Sequence, residues 1–269
     1  MPGISFVSAN FVAKQLGYHM TDGWAQGERA TDAYFAPLDT FAERFDEMLA
    51  AVRSMGFAAI DIWTAHLNWR WASDTHIARA RDLLQHHRLA VTSVGGGFGA
   101  TEEEFSAACR LAAALGTTIL AGGTPLLEAN RSAVIATLQR HGVQLALENH
   151  PGMLTPAEVL ATIGDGGQGT IGATVDTGWF GTAGADAVEA IETLDGSIWA
   201  VHLKDVRAPG GHVTCRYGQG CVPIEACVRA LDNIGFRGSI GIEHEPDDFD
   251  PTEDCLANLA LLRGWLGPD

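Results

Sequence analysis

Short apolar runs rich in β-branched residues alternate along the chain with longer stretches whose apolar positions recur at helical spacing. ISFVSAN (4–10) reads as a strand, and a polar, glycine-containing segment with Trp24, Tyr34 and Phe35 follows it. LDTFAERFDEMLAAVRSM (38–55) then sets Phe41, Phe45, Met48, Leu49 and Val52 on one helical face, with Asp39 or Thr40 as its cap. The same unit recurs: FAAIDIW (57–63) precedes a helix near 74–87, LAVTSVGG (89–96) one over 102–115, and TTILAGG (117–123) one near 125–141. VQLALEN is the fifth strand, before a helix with Thr155 as N-cap and Pro156 at its first position. IGATVD precedes a helix near 185–194, SIWAVHLK one over 222–234, and GSIGIEH a closing helix near 252–265.

Eight strand–helix units in 269 residues predict a single (β/α)8 TIM barrel domain spanning 1–269. Gly56, Gly116, Gly142, Gly196 and Gly235 fall just after helices, where a left-handed residue ends a helix before a short turn. The long connections, 11–37, 64–73 and 205–221, all follow strands, the end at which such barrels hold their sites. A doubly wound sheet would show G-x-G-x-x-G after its first strand; SANFVAK has none, and GGGFG at 95–99 lacks the spacing to cradle phosphate.

Composition narrows the partners. Hydrophobic residues make up 46% and charged residues 19%, enough for a large core, and the formal charge of −16 repels a phosphate backbone. No Lys/Arg run opposes that field, so nucleic acid is excluded and a neutral small molecule is expected. The five cysteines include no C-x-x-C pair and read as free thiols in a reducing compartment. MPGISFVSAN lacks the basic and apolar regions of a signal peptide, and no run approaches the roughly 20 apolar residues of a membrane span. A cytoplasmic protein with no membrane partner is expected, with assembly into a homo-oligomer left open.

The chemistry gathers where strands five to eight end. VQLALENH closes on Glu148 and His150, IGATVD on Asp176, IWAVHLKD on His202, Lys204 and Asp205, and GSIGIEHE on Glu243 and Glu245. Glu148, Asp176, His202 and Glu243 follow one another by one strand–helix unit each, so the four should stand at one depth on adjacent strands. Three carboxylates so close would raise one another's pKa values unless a cation neutralised them. With one imidazole they suit a divalent ion, Mn2+ first, with Mg2+ or Co2+ as alternatives.

ALENH, ATVDTG, VHLKD and GIEHE, in that order, resemble the xylose-isomerase-like barrel superfamily, which includes ketose 3-epimerases and inosose dehydratases. The resemblance implies that Glu148, Asp176, His202 and Glu243 ligate the metal and that Glu148 and Glu243 are the catalytic acid/base pair. The implied activity is a sugar isomerase or epimerase acting on a keto sugar through an enediolate. One Glu removes the proton and the other returns it to the opposite face. His66, His150, Lys204 and Arg216 are the expected substrate contacts, Arg216 and His66 by resemblance alone. Relatives keep a His three residues after the Asp of strand six, where this chain has Trp179. That departure makes a lyase of the same superfamily, dehydrating an inosose or cleaving a keto glycoside, the alternative. A sugar-binding barrel without activity and an abasic-site endonuclease fit less well; the latter needs further His and Asp ligands that strands three, six and seven lack. Trp24, Trp63, Trp69, Trp71 and Trp179 near the strand ends are candidates for an apolar wall that stacks on a sugar ring or aglycone.

Overall fold

The computed structural model describes residues 3–267. Gly3–Val7 (β1), Ala59–Trp63 (β2), Ala90–Gly97 (β3), Ile119–Gly123 (β4), Gln144–Glu148 (β5), Ile171–Asp176 (β6) and Ile198–Leu203 (β7) are seven strands of a parallel barrel. A hairpin of Asp205–Ala208 (β8) and Gly211–Cys215 (β9) follows, and Ser239–Ile242 (β10) closes the barrel between β7 and β1. The helices are Trp24–Phe35 (α1), Leu38–Ser54 (α2), Asp74–His87 (α3), Glu102–Leu115 (α4), Leu126–Ala129 (α5), Arg131–His141 (α6), Pro156–Ile163 (α7), Thr177–Ala183 (α8), Ala187–Thr193 (α9), Ile224–Asn233 (α10) and Thr252–Leu266 (α11). The single (β/α)8 TIM barrel predicted from the periodicity is the fold observed. Among the described residues no helix is long and apolar enough to cross a membrane.

Local chemistry explains the elements. Helix α2 buries Phe41, Phe45, Met48, Leu49 and Val52, the face read from their spacing. Helix α7 begins in a capping box in which Thr155 accepts from the Glu158 amide and the Glu158 carboxylate accepts in return, with Pro156 in the first turn. Gly116 and Gly142 close α4 and α6 in the left-handed conformation, as anticipated.

Four segments depart from expectation. The connection 11–37 contains α1, whose buried positions are Gly27, Thr31 and Phe35; a helix face made of Gly and Thr gives no apolar periodicity. A Cβ on Gly27 would stand 2.5 Å from the Val12 carbonyl oxygen, so glycine there permits close packing of the helix on its own approach segment. The helix expected over 125–141 is split at Asn130, whose side chain caps α6 by accepting from the Ala133 amide at 3.1 Å. The helix near 185–194 is α9, and α8 starts directly after Asp176, before it. The long seventh connection holds the hairpin β8–β9, joined by a Pro209-Gly210 turn.

Register sets the interior. His202 lies beside Asp176 on β6 and Gly241 on β10, and alternate residues of a strand face opposite sides. His202 and Lys204 therefore share the inner face, opposite Val201 and Leu203. Glu148 at the end of β5 and Glu243 just after β10 complete the ring of side chains at the C-terminal mouth.

Candidate active site

The mouth opens into a cavity of about 700 Å³ lined by Glu148, His150, His202, Lys204, Glu243 and Glu245, among others. The Nδ1 atom of His202 is 2.6 Å from Glu148 Oε1 and 3.7 Å from Glu243 Oε2. One ligand atom from each of Glu148, His202 and Glu243 lies within 4.8 Å of the other two, and all three residues are buried. That is the spacing of a small-cation site. Asp176 stands beside this trio rather than within it. Its Oδ1 accepts from the Gly178 amide at 2.7 Å and from the Trp179 amide at 3.3 Å, capping α8, and its Oδ2 is 3.2 Å from Lys204 Nζ.

The donor set fits a divalent ion. Glu243 Oε2 and Asp176 Oδ2 are buried without a hydrogen-bond partner. Lys204 Nζ is within 3.0 and 3.2 Å of them, so its ammonium makes ionic contacts that are not aligned as hydrogen bonds. Asp61, Glu148, Asp176, Glu243 and Glu245 bring five carboxylates against the basic side chains of His202, Lys204 and His150. Excess buried anion with oxygens left unpartnered is the situation a cation relieves.

The two glutamates are electrostatically distinct. Burial pushes Glu243 up to about 8, with Glu245 adding to the rise and Lys204 and His202 opposing it. Burial also acts to raise Glu148, but His202 and His150 overcome it and hold this carboxyl well below the usual range. The same attraction raises His202 and Lys204 against the opposing effect of their own burial. A carboxyl inclined to keep its proton thus faces one inclined to lose it.

Of the other anticipated contacts, His150 lines the cavity, half exposed, with Nε2 3.0 Å from Glu148 Oε2. Lys204 is central to it and also meets Glu245 Oε2 at 3.0 Å. The structure does not bring His66 or Arg216 to the cavity wall. His66 is 1% exposed, its ring edge-on to Trp63 and Phe35, with Nδ1 3.2 Å from the Ser8 hydroxyl. Arg216 is turned to Asp254, whose carboxylate accepts from its Nε at 2.8 Å and also from His244 at 3.0 Å. Trp24, Trp63 and Trp179 line the cavity, whereas Trp69 and Trp71 spend their indole N–H groups on the Gly97 carbonyl and Asp32.

Asp61 and His212 in the wall went unforeseen. Asp61 on β2 is buried beneath the ring, with Oδ2 3.4 Å from His202 Nε2 and accepting from the Ser93 hydroxyl. Its alternation with Ile60 and Ile62 was the available signal. His212, on β9, stacks on Trp179 at 3.7 Å and 11°, and its Nε2 is 3.4 Å from Lys204 Nζ. Burial, helped by Lys204, pushes its imidazole down to about 4, so it stays neutral. Recognising the Pro-Gly turn flanked by Val206 and Val213 would have exposed the hairpin that delivers it. Glu245, two residues beyond Glu243, holds Lys204 and accepts from the Trp24 indole at 3.4 Å.

Among solved structures, L-ribulose 3-epimerase is similar over 99% of this chain and 95% of its own, at 19% identity and a TM-score of 0.72. A xylose isomerase domain protein from Planctomyces limnophilus matches over 81% of this chain and 91% of its own (19%, 0.68). The probable 3-DHS dehydratase AsbF from Bacillus anthracis matches over 97% and 98% (15%, 0.67). No curated protein sequence matches. These likenesses concern the fold; the family rests on a sequence model that matches residues 49–265, and by it the chain belongs to the xylose isomerase-like TIM barrel family.

Proposed function

We propose that the chain is a divalent-metal-dependent sugar isomerase or epimerase that deprotonates a keto sugar beside its carbonyl and returns the proton. The observation that carries this reading is the geometry of Glu148 and Glu243, two carboxyls that flank the His202 imidazole at 2.6 and 3.7 Å on the cavity wall. Glu148, His202 and Glu243 would hold the ion, with Asp176 adjacent. A divalent cation there supplies electrophilic stabilisation of the enediolate, with Mn2+ the first choice and Mg2+ or Co2+ the alternatives.

The chain's own groups do the rest. Glu148 takes the proton, and Glu243, across the imidazole from it, delivers one to the other face. His150, half exposed next to Glu148, donates to a substrate oxygen, and Lys204 opposes negative charge that develops on the substrate. The free cysteines and acidic surface accord with a cytoplasmic setting. The test is solvent-deuterium exchange into a panel of keto sugars with Mn2+ present. The intact protein should exchange, and Glu148→Gln should lose the activity by at least 10²-fold; full exchange in that variant sinks the proton-transfer role.

A lyase outcome is the second reading, favoured by Trp179. Its indole, stacked on His212, stands in the chain where the resemblance implies a His. The similar fold of the probable 3-DHS dehydratase accords with it. An unsaturated product, or an aglycone released from a keto glycoside in the same panel, decides for elimination.

A further inference from the structure

One side of the cavity is built from absence. The inner positions of β3 and β4 near the mouth are Ser93, Gly95 and Gly97 on one strand and Ala121 and Gly123 on the next, Gly95 beside Ala121 and Gly97 beside Gly123. A Cβ on Gly95 would stand 2.7 Å from Asp61 Oδ1, so that glycine accommodates the carboxylate. Gly97 and Gly123 are different. Neither has a positive φ, and a Cβ on either meets nothing within 4 Å. Glycine within a strand is destabilising relative to Ala, because it has more backbone freedom to lose on folding. Nothing in the backbone or the packing asks for it at these two positions. What their lack of side chains provides is room in the cavity that both line.

The neighbouring wall is aromatic. Trp63 lies beside Gly95 in the sheet register, and the Trp24 ring packs on it with centroids 4.8 Å apart. Both tryptophans face the cavity, and Met153 borders it beyond β5. At the foot of this wall Asp61 Oδ1 is buried and unpartnered, an acceptor that no protein donor satisfies. A cavity of about 700 Å³ falls in the range that encloses drug-sized ligands. A formal charge of −16 disfavours filling that space with an anionic extension.

We propose that this lobe is a subsite for a planar aromatic substituent on the sugar, so that the substrate is an aryl glycoside-type sugar rather than a free monosaccharide. The aromatic ring lies along the flat Gly97–Gly123 backbone with Trp63 and Trp24 at its side, and a hydroxyl at the junction of ring and sugar donates to Asp61 Oδ1. The sugar remains at Glu148 and Glu243, and the inference rests on the functional reading above only for that placement.

The test is calorimetric titration of the full chain, loaded with Mn2+, with phenyl β-D-glucopyranoside and with methyl β-D-glucopyranoside. The phenyl glycoside should bind at least tenfold more tightly. In Gly97→Leu or Gly123→Leu, where a side chain enters open space, the phenyl-to-methyl ratio should fall below about twofold, and Trp24→Ala should lower it severalfold. Equal affinity for the two probes, binding of neither, or a ratio that persists in both folded leucine variants overturns the subsite. Deuterium exchange separates this from the chemistry. Phenyl preference without exchange in any keto sugar leaves the subsite standing and removes the isomerase reading; exchange into free keto sugars without phenyl preference does the reverse.

Discussion

Asp61 Oδ2 lies 3.4 Å from Nε2 of His202, on the far side of the imidazole from Glu148 Oε1, which is 2.6 Å from Nδ1. The ring is thus held from both edges. With Nδ1 turned to the carboxylates that would share an ion, Nε2–H can donate to Asp61, which fixes both the tautomer and the ring plane. Ser93 donates its hydroxyl to the same Asp61 oxygen and keeps the carboxylate in place. Asp61→Asn should weaken Mn2+ binding by about 10–100-fold, the usual effect of losing such an orienting carboxylate. Titration calorimetry checks it, with circular dichroism to establish that the variant folds. An unchanged dissociation constant would show that Asp61 does not position His202.

Lys204 is the cation already present in the ring. Its side chain is 3% exposed, with Nζ at 3.2 Å from Asp176, 3.0 Å from Glu243 and 3.0 Å from Glu245. The stem runs against Gly178, where a Cβ would come within 2.6 Å of Lys204 Cδ, so glycine at the start of α8 is what admits it. Lys204→Met leaves three carboxylates without their partner, and removing one member of such a buried cluster costs about 3–5 kcal/mol. The metal-free variant should therefore lose most of that stability in urea unfolding. Added Mn2+ should raise its Tm by more than it raises that of the parent protein, because an ion restores the missing charge. Equal shifts in the two proteins would mean that Lys204 and the ion do not compete for the same carboxylates.

The eight strand–helix units and the four tip residues were legible because both are signals of order along the chain. Glu148, Asp176, His202 and Glu243 end apolar runs, and an apolar run that stops at a charge marks a strand end without knowledge of the partner. Distances across the barrel are another matter. Asp176 has the right type and place, yet its Oδ1 is committed to capping α8, and only the start of that helix at Thr177 reveals it. His66 and Arg216 failed to reach the cavity for the same reason: side-chain direction after a strand depends on the turn that follows, which neither composition nor spacing fixes. His212 was hidden because a hairpin inside a long connection has too few residues for its alternation to stand out.

Asp205 supports the hairpin that carries His212. Its carboxylate is fully buried and accepts from the backbone amides of Gly218 at 2.9 Å, Gly220 at 3.0 Å and Val222 at 3.1 Å. Asp205→Ala leaves these three amides without their acceptor, each at a cost of about 1 kcal/mol or more. The segment from β8 to α10 should open. Limited trypsin digestion should then cut after Arg207 or Arg216 at least tenfold faster than in the parent protein. A digestion rate equal to the parent's would mean that other contacts hold the loop.

His66 gives the fold a pH dependence that is separable from the active site. Burial, with a small contribution from Lys14, lowers its imidazole from 6.5 to about 3. In the unfolded chain the ring takes up a proton near 6.5, and in the folded chain it does not until about 3. Between those values the unfolded state binds more protons, so stability contributed by neutral His66 is complete above about 6.5 and is lost as pH falls toward 3. Each pH unit in that window is worth up to about 1.4 kcal/mol. Urea unfolding at pH 7.5 and pH 5 should show a fall in stability for the parent protein that is larger, by about 1–2 kcal/mol, than for His66→Gln, whose amide stays neutral throughout. Other buried histidines titrate in both proteins and cancel in the difference. If the two proteins lose stability in parallel, His66 is not held neutral in the folded state, and its place behind Trp63 would have to be reconsidered as a charged contact near the cavity.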